Sequence, residues 1–556
     1  VEIEFFRHKF LIDISEKIEL IITSTSQEDM IGGRRSPSTG TKYVLNDSCV
    51  NLFAENCYST SSYGDYENGA VMLEPSKRDV TLNSFEFNVD GSRVNLEVSV
   101  SNYERESDSI TDNTGFFANG GFLTGDIAGY YSDFGVGGIF GIPPRPYVAA
   151  NRQYENNGNV FEARLISEKS EKMDFVLGIF TQKDSLKRMQ QTLIKGTNAW
   201  NGYFYGLDYV VDPLEKDFDY IVSETIRQKA LYGEFTFHTS EVFDVTLGFR
   251  HFSLDAVGDS DMTFALYGLA PSSGLHENKE QDTLYKLNLA YMPEENQTWY
   301  ATISEGFRRG GINAVPTEGT FIEEEGWVPF TSDKVLNYEF GRKGITENNV
   351  YYNISFYKVI WKDPQLNTDT PNYSFYAVIN GDEAKTQGID IELKGTIGKL
   401  DWDFGYARNK SELTGDLFTP ASTPLLYAPN GTSLPGTPEN MLNAGVAYTS
   451  YFNNGWGIVH RGNLYHQSDM KNHLSTSQSY NQDLESFSIV DLSSTLFNDD
   501  MYISLFIKNI ANERGVTGMF KSEAFGPDPS SGFYGSNDRE FIALPRTVGI
   551  SIDKSF

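Results

Sequence analysis

The chain has 556 residues, a formal net charge of -31, 14% aromatic residues and only two cysteines. That charge excludes nucleic-acid binding, because a phosphate-binding surface has to supply Lys and Arg to displace counterions. Membrane-spanning helices are excluded too, since no uninterrupted apolar run approaches the ~20 residues such a helix needs; no composition shift or linker divides the chain into soluble domains.

What recurs instead, from near Val1 to Phe556, is a run of strict apolar/polar alternation, a tight polar turn, and a second alternating run. Val94, Leu96, Val98 and Val100 alternate with Asn95, Glu97, Ser99 and Ser101. Phe243, Val245, Leu247 and Phe249 alternate with Asp244, Thr246, Gly248 and Arg250, and Ile389, Ile391 and Leu393 with Asp390, Glu392 and Lys394. Successive side chains of a strand point to opposite faces, so this pattern suits a sheet with one face on hydrocarbon and the other on water.

In chain order the pattern predicts nine hairpins, over about 3–24, 79–105, 159–183, 226–254, 282–307, 334–361, 386–412, 437–467 and 485–511, and a last strand near 545–556. Their turns are short and polar, as in Asp90-Gly91-Ser92, Glu168-Lys169-Ser170-Glu171 and Glu294-Glu295-Asn296. The other rim carries long loops, about 25–78, 106–158, 184–225, 255–281, 308–333 and 512–540. This asymmetry predicts an all-β fold, a transmembrane antiparallel β-barrel over 1–556 with long extracellular loops and short periplasmic turns. Nineteen strands are visible, with a further hairpin near 43–58 as an alternative count. Single-chain bacterial barrels have even strand numbers, so the odd total predicts absent N-terminal strands and a barrel of the 22-strand class. Val1 is not Met, and any export signal is expected to be removed or to lie outside the chain.

Aromatic residues recur at strand ends, as at Tyr285, Tyr291, Trp299, Tyr300, Tyr351, Tyr352, Trp402 and Tyr406, the positions of interfacial belts. Cys49 and Cys57 share one polar stretch; their closeness predicts a local disulfide in an oxidising compartment, with two free thiols as the alternative. The loop 113–158 gathers Phe116, Phe117, Phe122, Tyr130, Tyr131, Phe134 and Phe140 among glycines, which suits stacking on a planar ligand or sugar, or packing of the loop on itself. Arg308 and Arg309 fall where a strand leaves the membrane. There they either clamp an anionic ligand or brace the wall and lipid phosphates. The acidic run Glu323-Glu324-Glu325 is a weak candidate for a divalent cation in an outer loop, and no resident cofactor or metal site is otherwise expected. There is no G-x-S-x-G elbow, zinc-ligand spacing or phosphate loop, so no enzyme is predicted.

Six segments in order resemble TonB-dependent outer-membrane receptors: Ala230-Leu231-Tyr232-Gly233-Glu234 leading to Leu247-Gly248-Phe249-Arg250; Trp299-Tyr300 through Gly310-Gly311-Ile312-Asn313; Leu336-Asn337-Tyr338-Glu339-Phe340-Gly341; Thr386-Gln387-Gly388-Ile389-Asp390; Phe506-Ile507-Lys508-Asn509; and Pro545-Arg546-Thr547-Val548-Gly549-Ile550. The final strand, with Val548, Ile550, Ile552 and Phe556 on one parity, looks like the family's barrel-assembly signal, from which Lys554 departs. The resemblance implies a bacterial outer-membrane importer of a scarce nutrient, most readily a ferric siderophore carried as cargo. Oligosaccharide uptake or a plugless, porin-like barrel are the alternatives. It implies contacts with outer-membrane lipid and lipopolysaccharide, the barrel-assembly machinery, a surface lipoprotein, and the TonB complex through a plug domain. That plug is not seen in this sequence and is expected upstream of it.

Overall fold

The computed structural model describes residues 1–33, 36–39, 41–45, 58–70, 72–112, 148–194, 213–263, 270–313, 315–320, 322–370, 376–475, 481–520 and 539–555. Cys49, Cys57, the loop aromatics Phe116, Phe117, Tyr130, Tyr131 and Phe134, and Phe556 lie outside the described residues.

One sheet of nineteen strands forms the wall. In chain order these are β1 Glu2–Ser15, β2 Ile18–Ile31, β3 Ser76–Val89, β4 Val94–Asp112, β5 Val148–Ser167, β6 Met173–Ile194, β7 Lys216–Ser240, β8 Phe243–Thr263, β9 Ser272–Glu294, β10 Gln297–Arg308, β11 Asp333–Ile345, β12 Tyr351–Lys362, β13 Glu383–Ile397, β14 Leu400–Leu413, β15 Asn440–Tyr451, β16 Gly457–Gln467, β17 Phe487–Phe497, β18 Met501–Lys508 and β19 Thr547–Lys554. Each pairs antiparallel with the next. Among the described residues no ladder joins β1 to β19, so both end the sheet as open edges. The hairpin weighed near 43–58 exists as Thr41–Leu45 against Tyr58–Ser62, but as a separate two-stranded sheet that adds nothing to the wall.

The short turns lie at one rim. At one of the two-residue turns Gly398 adopts φ 64°, a left-handed conformation that suits glycine, and joins β13 to β14. At the other rim the strands run much further than the alternation suggests. β7 has 25 residues and β9 has 23, where about 9–11 cross a bilayer. The segments read as loops at 106–158, 184–225 and 255–281 are therefore strand as far as Asp112, Ile194 and Thr263, and again from Val148, Lys216 and Ser272. Beyond the membrane both faces of a strand are no longer sorted by lipid, and the apolar/polar alternation that marks it disappears.

The faces in fact exchange polarity. Cross-strand partners share a face, so Leu247, paired with Phe235 and Leu287, defines the outward row, and it is half exposed. Two residues past Phe249 that row turns polar, with His251, Ser253 and Asp255. The inward row passes from Asp244, Thr246, Gly248 and Arg250 to Phe252, Leu254 and Ala256, all at most 1% exposed. Pairing of β9 with β10 stops at Lys286 with Ser304, and above it Phe252 stacks on Phe307 at 3.9 Å. The outer segments supply the rest of this core: Ile312, Val315, Trp327, Val328, Ile379, Leu417, Leu434 and Leu474 pack with Ile226, Leu254 and Ala256. Each such side chain, fully buried, contributes roughly 1.5–3 kcal/mol, so these outer segments are fixed to the inner wall.

Within the lipid-crossing zone the inner wall is polar. Tyr103 lies over Gly158, which leaves no room for a Cβ, and its hydroxyl reaches Asp184 one strand further on. Tyr232 covers Gly178 in the same way and donates to Glu162 at 2.5 Å.

Candidate ligand vestibule

Above the polarity exchange, the inner face of β4 to β6 carries cations and a phenol, with Leu186 of β6 packed against the outer core. The register places Ser107, Tyr154, Arg188 and Val222 in one cross-strand row. Arg105 sits one row below, its guanidinium 5.3 Å from the Tyr154 ring centre, a cation–π contact. Arg152, one row above, is oriented by Gln190 at 3.0 Å and Thr111 at 2.6 Å. Arg188 is exposed and forms no ion pair among the described residues. Phe218 and Tyr220 stack at 6.0 Å, and burial raises the Tyr220 phenol above its ordinary range. Glu224 is nearly buried, and desolvation raises its carboxyl, opposed by the charges of Arg309 and Arg188 nearby. A water-filled mouth with guanidinium groups beside phenol rings can hold an anion by charge-assisted hydrogen bonds and a planar group by stacking.

The two arginines singled out by sequence part company. Arg308 donates from its backbone N and its Nε to Asp333 at 3.1 and 2.9 Å, and from Nη2 to the same carboxylate. Trp361 Nε1 donates to Asp333 at 2.8 Å, and the Arg308 guanidinium lies 5.0 Å from the Trp361 ring. Asp333 is 1% exposed, so it fastens the end of β10 to β11 and β12. Arg309 is exposed, and its charge opposes the rise of the Glu224 carboxyl. Reading by sequence misses Arg152, Tyr154 and Arg188 because they lie in polar strand taken for loop, and Arg105 because it stands at the very end of the hairpin predicted over 79–105. The only signal is that Arg152 and Tyr154 share a parity, as do Arg188 and Gln190.

The acidic run does not converge. Glu323 is buried, while Glu324 accepts from Ser422 N at 2.6 Å and Ser422 Oγ at 3.0 Å. Glu325 opens a short 3-10 turn. Among the described residues no three His, Cys, Asp or Glu side chains come together to hold a metal. At the far end of the sheet Val548, Ile550 and Ile552 pair with Ile507, Leu505 and Ile503 and are about two-thirds exposed on the outward face. Lys554, opposite Met501, shares their parity at the short-turn rim.

Comparison with known proteins gives a consistent picture. The sequence matches the family described as TonB dependent receptor-like, beta-barrel, over residues 32–512. The pesticin receptors of Yersinia enterocolitica and Yersinia pestis are 27% identical over 198 residues, 35% of this chain, and the match spans only 27% of the length of those relatives. Among solved structures, the ferric yersiniabactin uptake receptor of Yersinia pestis superposes with a TM-score of 0.69 at 16% identity, covering 100% of this chain and 71% of that one. The ferric-catecholate import receptor Fiu of E. coli K12 gives 0.65 at 12% identity, covering 100% and 74%.

Proposed function

The chain belongs to the TonB-dependent receptor-like β-barrel family, and from that premise we propose that it forms the wall of an outer-membrane importer for an anionic iron chelate of the siderophore class. Family and fold are those of transport receptors, not enzymes. The observation that carries the cargo class is the inward patch of Arg105, Tyr154, Arg152 and Arg188 at the outer mouth. A ferric catecholate complex presents negative charge and planar rings together. Guanidinium groups and phenols offer the matching donors and faces, whereas a neutral oligosaccharide has no use for a cluster of cations. The wide lumen of such a wall needs a plug to keep the membrane sealed. We infer that a plug completes the molecule and that TonB, driven by the inner-membrane proton gradient, draws on it to admit the cargo. The outward row of Val548, Ile550 and Ile552 is the surface we assign to the barrel-assembly machinery.

The test is binding of a ferric catecholate to the purified protein, followed by quenching of tryptophan fluorescence. Replacing Arg105 and Arg188 with Ala is expected to weaken binding by tenfold or more, with steeper loss at high salt for the parent than for the variant. Equal affinity in parent and variant, or preference for a neutral glycan, overturns the assignment.

A further inference from the structure

The arginines of the vestibule share their wall with a carboxylate that has an oxygen left unbonded. Glu224, on the inward row of β7, is 7% exposed, and its Oε1 has no hydrogen-bond partner among the described residues. It stands on the outer half of β7, further from the short turn at Ser240 than the 9–11 residues that cross a bilayer. A buried acceptor without a donor is costly when ionised, and a carboxyl group relieves that cost by keeping a proton.

The register fixes what surrounds it. On β6 Leu186 stands directly opposite, with Asp184 and Arg188 as the diagonal neighbours on the same face, within reach of long side chains. On β8 Gly258 stands opposite, and the Glu224 Cγ lies 3.7 Å from where a Cβ on that glycine would be. The residues flanking Gly258 on that face, Ala256 and Ser260, carry no charge. Beyond Gly258, on β9, is His276, which burial holds below the ordinary histidine range. Ile312 comes within 3.5 Å of the same Cβ position, and Arg309 contributes its charge from the end of β10. On β7 itself the same-face neighbours are Val222 and Ile226, with the Tyr220 phenol beyond. Burial, with the Asp184 charge, favours the neutral carboxyl, while Arg309 and Arg188 favour the ionised one. An anion arriving at those arginines competes with an ionised Glu224 for the same cations and sets a second negative charge beside it. Both effects tip Glu224 toward its neutral form, and a neutral solute produces neither.

We propose that Glu224 sets the charge selectivity of the vestibule, taking a proton from the outside water when an anionic iron chelate binds and so releasing Arg188 and Arg309 to the cargo. Glu224 is a positioning residue that acts through the two arginines. The inference rests on the cargo class given above and adds a proton to its binding. Linkage is reciprocal, so the proton must act on the cargo as the cargo acts on the proton. As pH falls through the titration of Glu224 the competing carboxylate is lost and affinity for the anion rises; as pH rises it falls.

The experiment measures binding of a ferric catecholate to the whole chain in detergent from pH 8 to pH 5.5, by tryptophan fluorescence and by calorimetry in two buffers of different ionisation enthalpy. The chelate's own titration is common to every variant and divides out. Over that range the parent is expected to gain about fivefold or more in affinity relative to E224Q, with E224Q the tighter binder at pH 8. Calorimetry is expected to show more protons taken up per chelate by the parent than by E224Q. H276Q is expected to keep the slope of the parent. Equal slopes or equal proton uptake in parent and E224Q, or a slope lost in H276Q and kept in E224Q, each overturns the proposal and leaves the cargo reading standing. Failure of the parent to bind ferric catecholate at any pH sinks both. Should E224Q not fold, judged by its heat-dependent shift on a gel, E224M, apolar and of similar length, takes its place with the same expectations.

Discussion

Replacing Glu74 with Ala should open the outer rim at the seam of the sheet. Glu74 and Arg539 form an ion pair whose side chains are 2% and 5% exposed, with Arg539 Nη1 3.2 and 3.1 Å from the two carboxylate oxygens. The Asp112 backbone N–H donates to the same carboxylate at 2.9 Å. Around the pair, Glu540 N donates to Pro37 O at 3.0 Å, and Arg514 meets Glu540 at 2.8 Å. These contacts tie the segment between β2 and β3 to that between β18 and β19, across the edges that no strand ladder joins. Removing one partner of a buried pair leaves the other charge uncompensated, at a cost of about 3–5 kcal/mol. With tenfold per about 1.4 kcal/mol, local opening should become roughly 140- to 3700-fold more populated if the clasp opens as a unit. Hydrogen exchange read by mass spectrometry should show that loss of protection at Asp112 and over 539–542, with the lipid-facing part of β12 unchanged. Replacing both partners by apolar residues, E74L with R539M, should recover most of the protection, because the desolvation penalty goes with the charges. Unchanged exchange in the single variant would refute the clasp.

Two further outcomes follow from the wall and the outer core. Phe356 lies mid-strand on the outward row with Phe340 and Ile389, half exposed toward lipid, so F356K should cost about 2–4 kcal/mol of unfolding free energy measured in bilayers; a value near zero would place this row off the membrane. Burial holds His276 and His473 below the ordinary histidine range. The unfolded state then takes up their protons first, so their contribution to stability is whole above the unfolded value of about 6.5 and declines as pH falls below it. Exchange over 311–330, corrected for intrinsic rate, should rise between pH 7 and pH 5 in the parent and rise less in H276Q; equal slopes would mean that another group titrates there.

The wall was legible in sequence because lipid on one side and water on the other sort side chains with a period of two. Ile389, Asp390, Ile391 and Glu392 announce their faces unaided. Where that contrast ends, legibility ends. Glu106 to Ser109 and Lys187 to Gln190 continue their strands in full register, yet they read as loop since neither face of the segment touches hydrocarbon. The vestibule fell into this blind stretch. Arg308 was legible as a residue and bracing of the wall was one of its two readings, but its partner Asp333, 25 positions away, was not.

The exchange of polarity between faces also explains why the mouth is asymmetric. A strand leaving the membrane loses the lipid that made its outward row apolar, so any large apolar residue kept there must turn inward and be covered by protein. On β7 to β9 and β11 to β14 the sequence supplies such residues, Ile226, Leu254, Ala384 and Leu413 among them, and the outer segments pack over them. On β4 to β6 it supplies Arg105, Arg152, Tyr154 and Arg188 on the same inward rows, which water can cover. Among the described residues one rim thus holds two kinds of inner surface, one packed under its own chain and one bearing guanidinium groups beside a phenol. The second can hold an anion by charge-assisted hydrogen bonds, so the cargo of the importer we propose should meet the wall along β4 to β6.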